Sequence, residues 1–150
     1  MSWHALVIHD ADLAAFGAAH LHDQVAYLAT VKSDGAPRLH PVRPIITADR
    51  LFVFMEPASP KGHDLRRDGR YVLHCTATGE QPWDLHEFYV DGIAHPTDDP
   101  AARQIANAGT GFPRDERFVL FELEVTSAFS TVFGPDGHPV RQRWRAAAGT

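Results

Sequence analysis

The sequence is built from short runs of β-branched and aromatic residues, each ended by turn residues, and this pattern strongly limits the possible folds. Asp34-Gly35 and Pro135-Asp136-Gly137 are turn signals that reverse one strand onto the next. Strands are predicted at residues 25–31, 39–47, 50–56, 71–78, 85–95 and 117–125, and a last hairpin joins 131–133 to 140–144. Many short strands with few helices are typical of a small barrel. We therefore predict a mainly β fold, a β-barrel of about six or seven strands with flanking helices, formed by one domain over residues 1–150.

The run at 39–47 is unusual because it contains two prolines. Pro41 and Pro44 have no backbone N–H and cannot donate to the hydrogen-bond ladder of a sheet. A strand of this composition lies at a sheet edge, carries a bulge or faces a ligand. The sequence leaves these three arrangements open.

Helices are predicted over residues 10–22, 60–68 and 98–108. Asp10 favours a helix amino terminus, because an acidic side chain there complements the helix dipole. Ser59 is a suitable cap for the second helix, Pro60 fits its first position and Gly69 marks its end. These helices flank the predicted barrel.

Composition restricts the classes of function. The 14 basic and 19 acidic side chains give a net charge of −5, so the chain has no general attraction for nucleic acids or anionic membranes. It contains no run of about 18 apolar residues that would span a bilayer. Its single cysteine cannot form an internal disulfide, and its start does not resemble a signal peptide. We expect a cytoplasmic protein with a small-molecule substrate.

Two groups that resemble chemical sites have simpler structural explanations. His20 and His22 are two positions apart in a predicted helix, whereas ligands on one helix face need a spacing of three or four, so no metal site is expected. His74 and Cys75 are adjacent in a strand and point to opposite faces, which excludes a nucleophilic pair within that strand. Cys75 is expected to be a buried, unreactive thiol.

The most informative segment lies between residues 38 and 70, where seven basic and four acidic side chains stand in a chain that is acidic as a whole. Ser59 and Lys61 are at a predicted helix start, where free backbone N–H groups and the helix dipole favour an anion. A lysine there adds a point charge suited to a phosphate. The alternative is a solvated basic helix whose cap happens to be serine.

Several short motifs follow one another in this part of the chain. They are Arg38 with Arg43 on one predicted strand, Ser59-Pro60-Lys61 before a helix, Asp68-Gly69-Arg70-Tyr71, and Val90-Asp91-Gly92-Ile93-Ala94. In order and spacing they resemble the pyridoxamine 5'-phosphate oxidase-like (PNPOx-like) family of FMN-binding split barrels. The resemblance runs over residues 25–94 and implies a Greek-key split barrel. It also implies a homodimer with its cofactor sites along the interface.

The resemblance implies an FMN site with roles for the matched residues. Arg38 and Lys61 would contact the phosphate, His40 and Arg43 would lie near the isoalloxazine ring, and the backbone of residues 41–44 would approach the cofactor closely. The implied cofactor-binding residues are Arg38, His40, Pro41, Val42, Arg43, Met55, Ser59, Pro60 and Lys61. No catalytic side chain is assigned, because a bound flavin carries the redox chemistry itself.

The sequence also departs from the family pattern. Pro60 replaces a second phosphate-binding arginine, Met55 stands where a threonine often meets the flavin, and Glu87 stands near a glutamine that reaches the phosphate in the oxidases. Residues 141–150 show no counterpart of the segment that binds pyridoxal phosphate in those oxidases. We therefore expect a flavin-dependent reductase and not a pyridoxamine phosphate oxidase. The alternatives are a deazaflavin-dependent reductase and a carrier or sensor that binds haem or flavin without turnover.

Overall fold

The computed structural model describes residues 2–81 and 83–148, and it has eight strands and four helices in those ranges. The strands are β1 (Ala26–Val31), β2 (Pro37–Val42), β3 (Ile45–Thr47), β4 (Arg50–Met55), β5 (Arg70–Cys75), β6 (Glu87–Thr97), β7 (Val119–Phe133) and β8 (Pro139–Arg145). The helices are α1 (Trp3–His9), α2 (Ala11–Leu21), α3 (Pro60–Arg67) and α4 (Pro100–Ala108). The predicted fold class, mainly β with flanking helices, is confirmed.

The strands form one antiparallel sheet with the order β2-β1-β5-β6-β7-β4-β3, and β8 pairs with β7. Only Arg43 and Pro44 separate β2 from β3 in the chain, yet these strands lie at opposite ends of the order. The sheet must therefore curl until its ends approach, which produces a split barrel. Pro44 divides the strand predicted at 39–47 into β2 and β3, while the runs predicted at 117–125 and 131–133 form the single strand β7. The described ranges contain eight strands, where six or seven were expected. Of the three arrangements that the sequence left open for this segment, the structure shows the edge position for both β2 and β3.

Two helices begin at aspartate caps, of which the sequence indicated Asp10. Asp10 accepts a hydrogen bond from the Leu13 N–H at 3.1 Å, and Asp99 accepts one from the Ala101 N–H at 3.0 Å. The first helix, α1, was not predicted. It has only seven residues, and Ser2 makes no side-chain cap bond. It is held by packing instead, since Trp3 and Leu6 are buried.

The barrel interior and one outer face are both apolar. The main core lies inside the barrel and includes the buried side chains Leu28, Leu73, Phe88, Val90 and Phe121. A smaller cluster packs α4 against the outside of the sheet through Ile45, Phe52, Ala102, Ala106 and Leu120. The face of residues 117–125 that carries Glu122 and Glu124 is therefore covered in part by α4. The glutamates of that strand remain half-exposed.

Gly92 marks a bulge between β6 and β7. The register of these strands shifts between Asp91 and Gly92, and a Cβ on Gly92 would collide with the Glu124 carbonyl oxygen. Asp91 accepts hydrogen bonds from the hydroxyls of Thr126 (2.9 Å) and Ser127 (2.5 Å), which hold the bulge. The glycine of the Val90-Asp91-Gly92 motif is thus needed for close strand approach.

No helix in the described ranges has the length and apolar character needed to cross a membrane.

Candidate functional site

A cavity of about 440 Å³ opens where β2, β4 and α3 meet the loop that follows α4. This volume is typical of small-molecule sites, which measure roughly 300–1,000 Å³. We call one part of its lining the strand wall, formed by Pro41, Val42, Arg43, Phe54 and Met55. The other part is the loop wall, formed by Thr110, Phe112, Arg114 and Phe118. Val25, Ile45, Glu56 and Lys61 complete the lining.

The first turn of α3 brings Lys61 to this cavity. Ser59 caps the helix as predicted, because its Oγ accepts a hydrogen bond from the Gly62 backbone N–H at 3.1 Å, and Pro60 is the first helical residue. A Cβ on Gly62 would lie only 3.0 Å from the Ser59 Oγ, so the small residue suits the cap. Lys61 has no ion pair or hydrogen bond within the described ranges. Its ammonium group is available to an anion.

His40 lies in a positively charged corner beside this helix start. Burial lowers the pKa of His40 from its ordinary value of 6.5, and the charges of Lys61 and Arg38 lower it further. The imidazole is therefore neutral at pH 7, and the positive charge of the corner resides on Lys61 and Arg38. A neutral ring can accept or donate a hydrogen bond without adding to that charge.

Arg38 forms an ion pair instead of facing the cavity. Its Nε donates to the Asp64 carboxylate at 2.7 Å, and Asp64 also accepts from the Thr30 hydroxyl at 2.8 Å and from Arg67 at 3.0 Å. Burial raises the pKa of Asp64, but the hydrogen bonds from Thr30, Arg38 and Arg67 outweigh it and hold the pKa below its ordinary value. The charge of Arg38 is thus largely compensated by a buried acid.

Arg43 joins the strand wall to the loop wall. Its guanidinium carbon lies 4.3 Å from the centroid of the Phe112 ring, and its Nη1 donates to the Asp23 carbonyl oxygen. The Asp23 carboxylate accepts from the Thr110 hydroxyl at 2.5 Å and from the Gly111 N–H at 2.8 Å. Burial raises the pKa of Asp23, yet these hydrogen bonds lower it below its ordinary value. Asp23 therefore stays ionised and fixes the loop wall.

The structure brings most of the predicted site residues together. The residues that line the cavity are Pro41, Val42, Arg43, Met55 and Lys61. Ser59 and Pro60 begin the helix that carries Lys61, and Arg38 and His40 lie on β2 outside the lining. Glu87 is not part of the lining, and it contacts His74 at 3.4 Å and Thr131 at 3.0 Å.

Sequence reasoning missed the loop wall. Thr110, Phe112, Arg114 and Phe118 follow α4 and match none of the motifs considered. Two arginines and two phenylalanines close together between a helix and a strand are a local signal that would have drawn attention to this loop. Its position against β2, however, depends on Asp23, which is 87 positions from Thr110 in the chain.

The remaining candidate groups have structural contacts. The Ile46 N–H donates to Nδ1 of His22 at 3.0 Å, and Nδ1 of His20 lies 2.8 Å from the Phe16 carbonyl oxygen. Cys75 is buried as predicted, and its Sγ accepts a hydrogen bond from the Phe88 N–H at 3.2 Å. These groups stabilise the barrel and do not line the cavity.

Solved structures provide the comparison with known proteins. No protein-family model and no curated protein matches the sequence. A haem-binding protein from Mycobacterium smegmatis superposes with a TM-score of 0.67 at 18% identity, over 85% of this chain and 55% of that one. PhzG from Burkholderia lata, in complex with tetrahydrophenazine-1-carboxylic acid, gives a TM-score of 0.65 at 18% identity, over 95% and 86%.

A protein from Listeria innocua that is named for pyridoxamine 5'-phosphate oxidase gives a TM-score of 0.58 at 17% identity, over 76% of this chain and 90% of that one. These proteins share the curled antiparallel sheet described above and differ in what their names say they bind. The chain therefore has the split-barrel fold of the pyridoxamine 5'-phosphate oxidase-like proteins.

Proposed function

We propose that this protein is a flavin-dependent oxidoreductase, specifically an FMN-binding reductase. Its cofactor lies between the strand wall and Lys61. The observation that carries the proposal is Lys61, an unpaired cation in the first turn of a capped helix that faces a cavity of cofactor size. FMN combines a planar ring with a phosphate. The lining offers apolar side chains for the ring and a cation for the phosphate.

The residues present fit this group by their chemistry. Pro41, Val42 and Phe54 supply apolar surface, and the first turn of α3 supplies the backbone N–H of Lys61 beside its ammonium group. A bound flavin supplies electron or hydride transfer. The role of the chain is to bind and orient the ring and to exclude water from it. Arg43 in the same lining would favour negative charge on a reduced ring.

Titration of the purified protein with FMN tests the proposal. We expect saturable quenching of flavin fluorescence and the two visible absorption bands of a flavin, which NADH or NADPH then bleaches under anaerobic conditions. Riboflavin, which lacks the phosphate, serves as the comparison ligand. A protein that neither binds FMN nor acquires a flavin spectrum would contradict the proposal.

Haem and deazaflavin are the alternative cofactors. Haem-binding proteins share this fold, but the lining described here contains no histidine, cysteine or tyrosine to ligate an iron, and its one thioether, Met55, is 2% exposed. A carrier of haem without turnover would give a Soret band after haem titration. A deazaflavin-dependent reductase would use the same walls and would differ in the cofactor that restores activity.

A homodimer is also part of the proposal, and an aromatic sheet face supports it. We call this the aromatic face, a row formed by directly paired residues of β2, β1, β5, β6 and β7: Pro41, Tyr27, His74, Tyr89 and Phe129. Paired residues share one face of a sheet. The rings of Tyr89 and Phe129 lie 5.0 Å apart. Pro41 also lines the cavity, so a copy docked on this face would reach the cofactor site.

We expect sedimentation at micromolar concentration to give about twice 16.6 kDa. Leu39, which is 65% exposed next to the aromatic face, is the position to test with Leu39→Glu, because a buried charge opposes association. Val140→Glu is the matched control, since Val140 is 57% exposed but lies on β8, away from Leu39 in the sheet order. Leu39→Glu should sediment as a monomer and Val140→Glu as a dimer. A monomeric wild type that binds FMN tightly would rule out the interface.

A further inference from the structure

The loop wall is a fixed part of the cavity because both of its ends are tied to the barrel or to α4. Asp23 holds Thr110 and Gly111, as described above. The Asn107 side chain donates to the Arg114 carbonyl at 3.0 Å and accepts from the Arg114 N–H at 2.9 Å. Arg103 donates to the Phe118 carbonyl oxygen at 2.6 Å. The side chains of this loop therefore face the cavity in a defined arrangement.

The two arginines of the cavity rest on aromatic rings and not on acids. Arg43 lies over Phe112 at 4.3 Å, and Arg114 lies over Phe118 at 5.2 Å. Neither guanidinium forms an ion pair within the described ranges. Arg50 differs from them, since it lies over the Phe52 ring at 4.9 Å and also pairs with Glu122 at 2.6 Å.

This arrangement leaves planar donors and planar rings side by side. A guanidinium binds a carboxylate through two parallel N–H bonds, and a stacked ring holds the guanidinium plane without using those donors. Phe112 is 50% exposed, so part of its ring remains open to a ligand. Lys61, the cation proposed for the cofactor phosphate, is a point charge on a different element, α3.

We infer that Arg114, with Arg43, determines specificity for a substrate that is a planar aromatic carboxylate held against the loop wall. The assignment of this carboxylate as a substrate rests on the proposed function. Binding of the carboxylate itself depends only on Arg114, Arg43 and the rings that they lie over. A neutral aromatic of the same shape would stack on the rings but would leave the Arg114 guanidinium without an acceptor and Arg43 with the Asp23 carbonyl oxygen alone.

Calorimetric titration of the full chain with 2-naphthoate and with its neutral isostere 2-naphthamide tests this inference. The naphthoate should bind about ten-fold more tightly than the amide, and Arg114→Gln should remove most of that difference. Arg117→Gln is the matched control. Arg117 lies over the same Phe118 ring at 5.2 Å but is not part of the cavity lining, so its replacement should change naphthoate affinity by less than about two-fold.

Further measurements separate this inference from the flavin proposal. Arg114→Lys keeps the charge but not the planar fork and should restore only part of the naphthoate affinity. The affinity of Arg114→Gln for FMN should stay within about three-fold of wild type. Equal binding of the two probes, or equal losses in Arg114→Gln and Arg117→Gln, would overturn the inference. A failure to bind FMN with the naphthoate preference intact would overturn the flavin proposal alone.

Discussion

Lys61→Ala is expected to weaken FMN binding by about ten- to a hundred-fold while leaving riboflavin binding nearly unchanged, because a charge-assisted contact is worth roughly 1.5–3 kcal/mol. Riboflavin has no phosphate for the ammonium to meet. Pro60 stands where the resemblance implies a second phosphate-binding arginine, so no neighbouring arginine replaces the lost Lys61 contact. The upper half of that range is therefore expected. Fluorescence titration of the variant with both ligands measures the difference.

Lys32 is the matched control for this experiment, since it is the only other lysine in the sequence and lies beside the β1–β2 turn. Lys32→Ala should leave both affinities unchanged. Arg38→Ala should weaken FMN binding less than Lys61→Ala, because Arg38 lies outside the cavity lining and pairs with Asp64, and the variant must be corrected for stability. An equal loss of FMN and riboflavin affinity in Lys61→Ala would show that Lys61 supports the fold and not the phosphate.

Asp64→Ala is expected to lower the free energy of unfolding by about 2–4 kcal/mol at pH 7, because it removes the acceptor shared by three donors in a buried position. Asp64 is 3% exposed, and Thr30, whose hydroxyl it accepts, is 2% exposed. The Thr30 hydroxyl would lose its partner inside the barrel. The loss is kept below that of a fully buried pair because Arg38 and Arg67 remain partly exposed to water.

The pH dependence of this loss identifies its electrostatic part. The pKa of Asp64 is held below the unfolded value of 3.8, so its stabilisation is fully present above that pH and is lost as the pH falls through the lower, folded pKa. Urea unfolding at pH 7 and near pH 3 should show the wild type and Asp64→Ala converging in acid. Asp68→Ala, which removes an exposed pair with Arg70, should cost much less. A gap that is constant with pH would assign the loss to packing alone.

Local signals in the sequence were sufficient where a structure is decided within a few residues. Ser59 and Pro60 determine the start of α3 through a bond that spans three positions, and Asp34 with Gly35 turns β1 onto β2. The helix start at Lys61, whose geometry suits a phosphate, was predicted from these neighbouring residues. The candidate site could therefore be located on β2, β4 and α3 from the sequence.

Contacts between distant residues could not be read in this way. The family resemblance assigned Arg38 to the phosphate, yet Arg38 pairs with Asp64, which is 26 positions away. Separate strands were predicted at 117–125 and 131–133, whereas β7 runs without a break from Val119 to Phe133. Its hydroxyls are satisfied across the sheet, for example by the bond from Thr131 to Glu87. A polar run resembles a turn in the sequence, because its hydrogen-bond partners across the sheet cannot be identified there.

The prolines of β2 also affect how the sheet can meet other molecules. The Lys32 N–H donates a hydrogen bond to the Ala36 carbonyl oxygen. This bond determines which residue pairs of the β1–β2 ladder are hydrogen-bonded and which are not. The amide positions of Pro37, Leu39 and Pro41 then point away from β1, toward the free border of the sheet. Two of these three positions carry no hydrogen, so an incoming strand finds a single donor there. Fibril-like growth by strand addition is blocked at this border, and two copies can associate face to face without their sheets fusing.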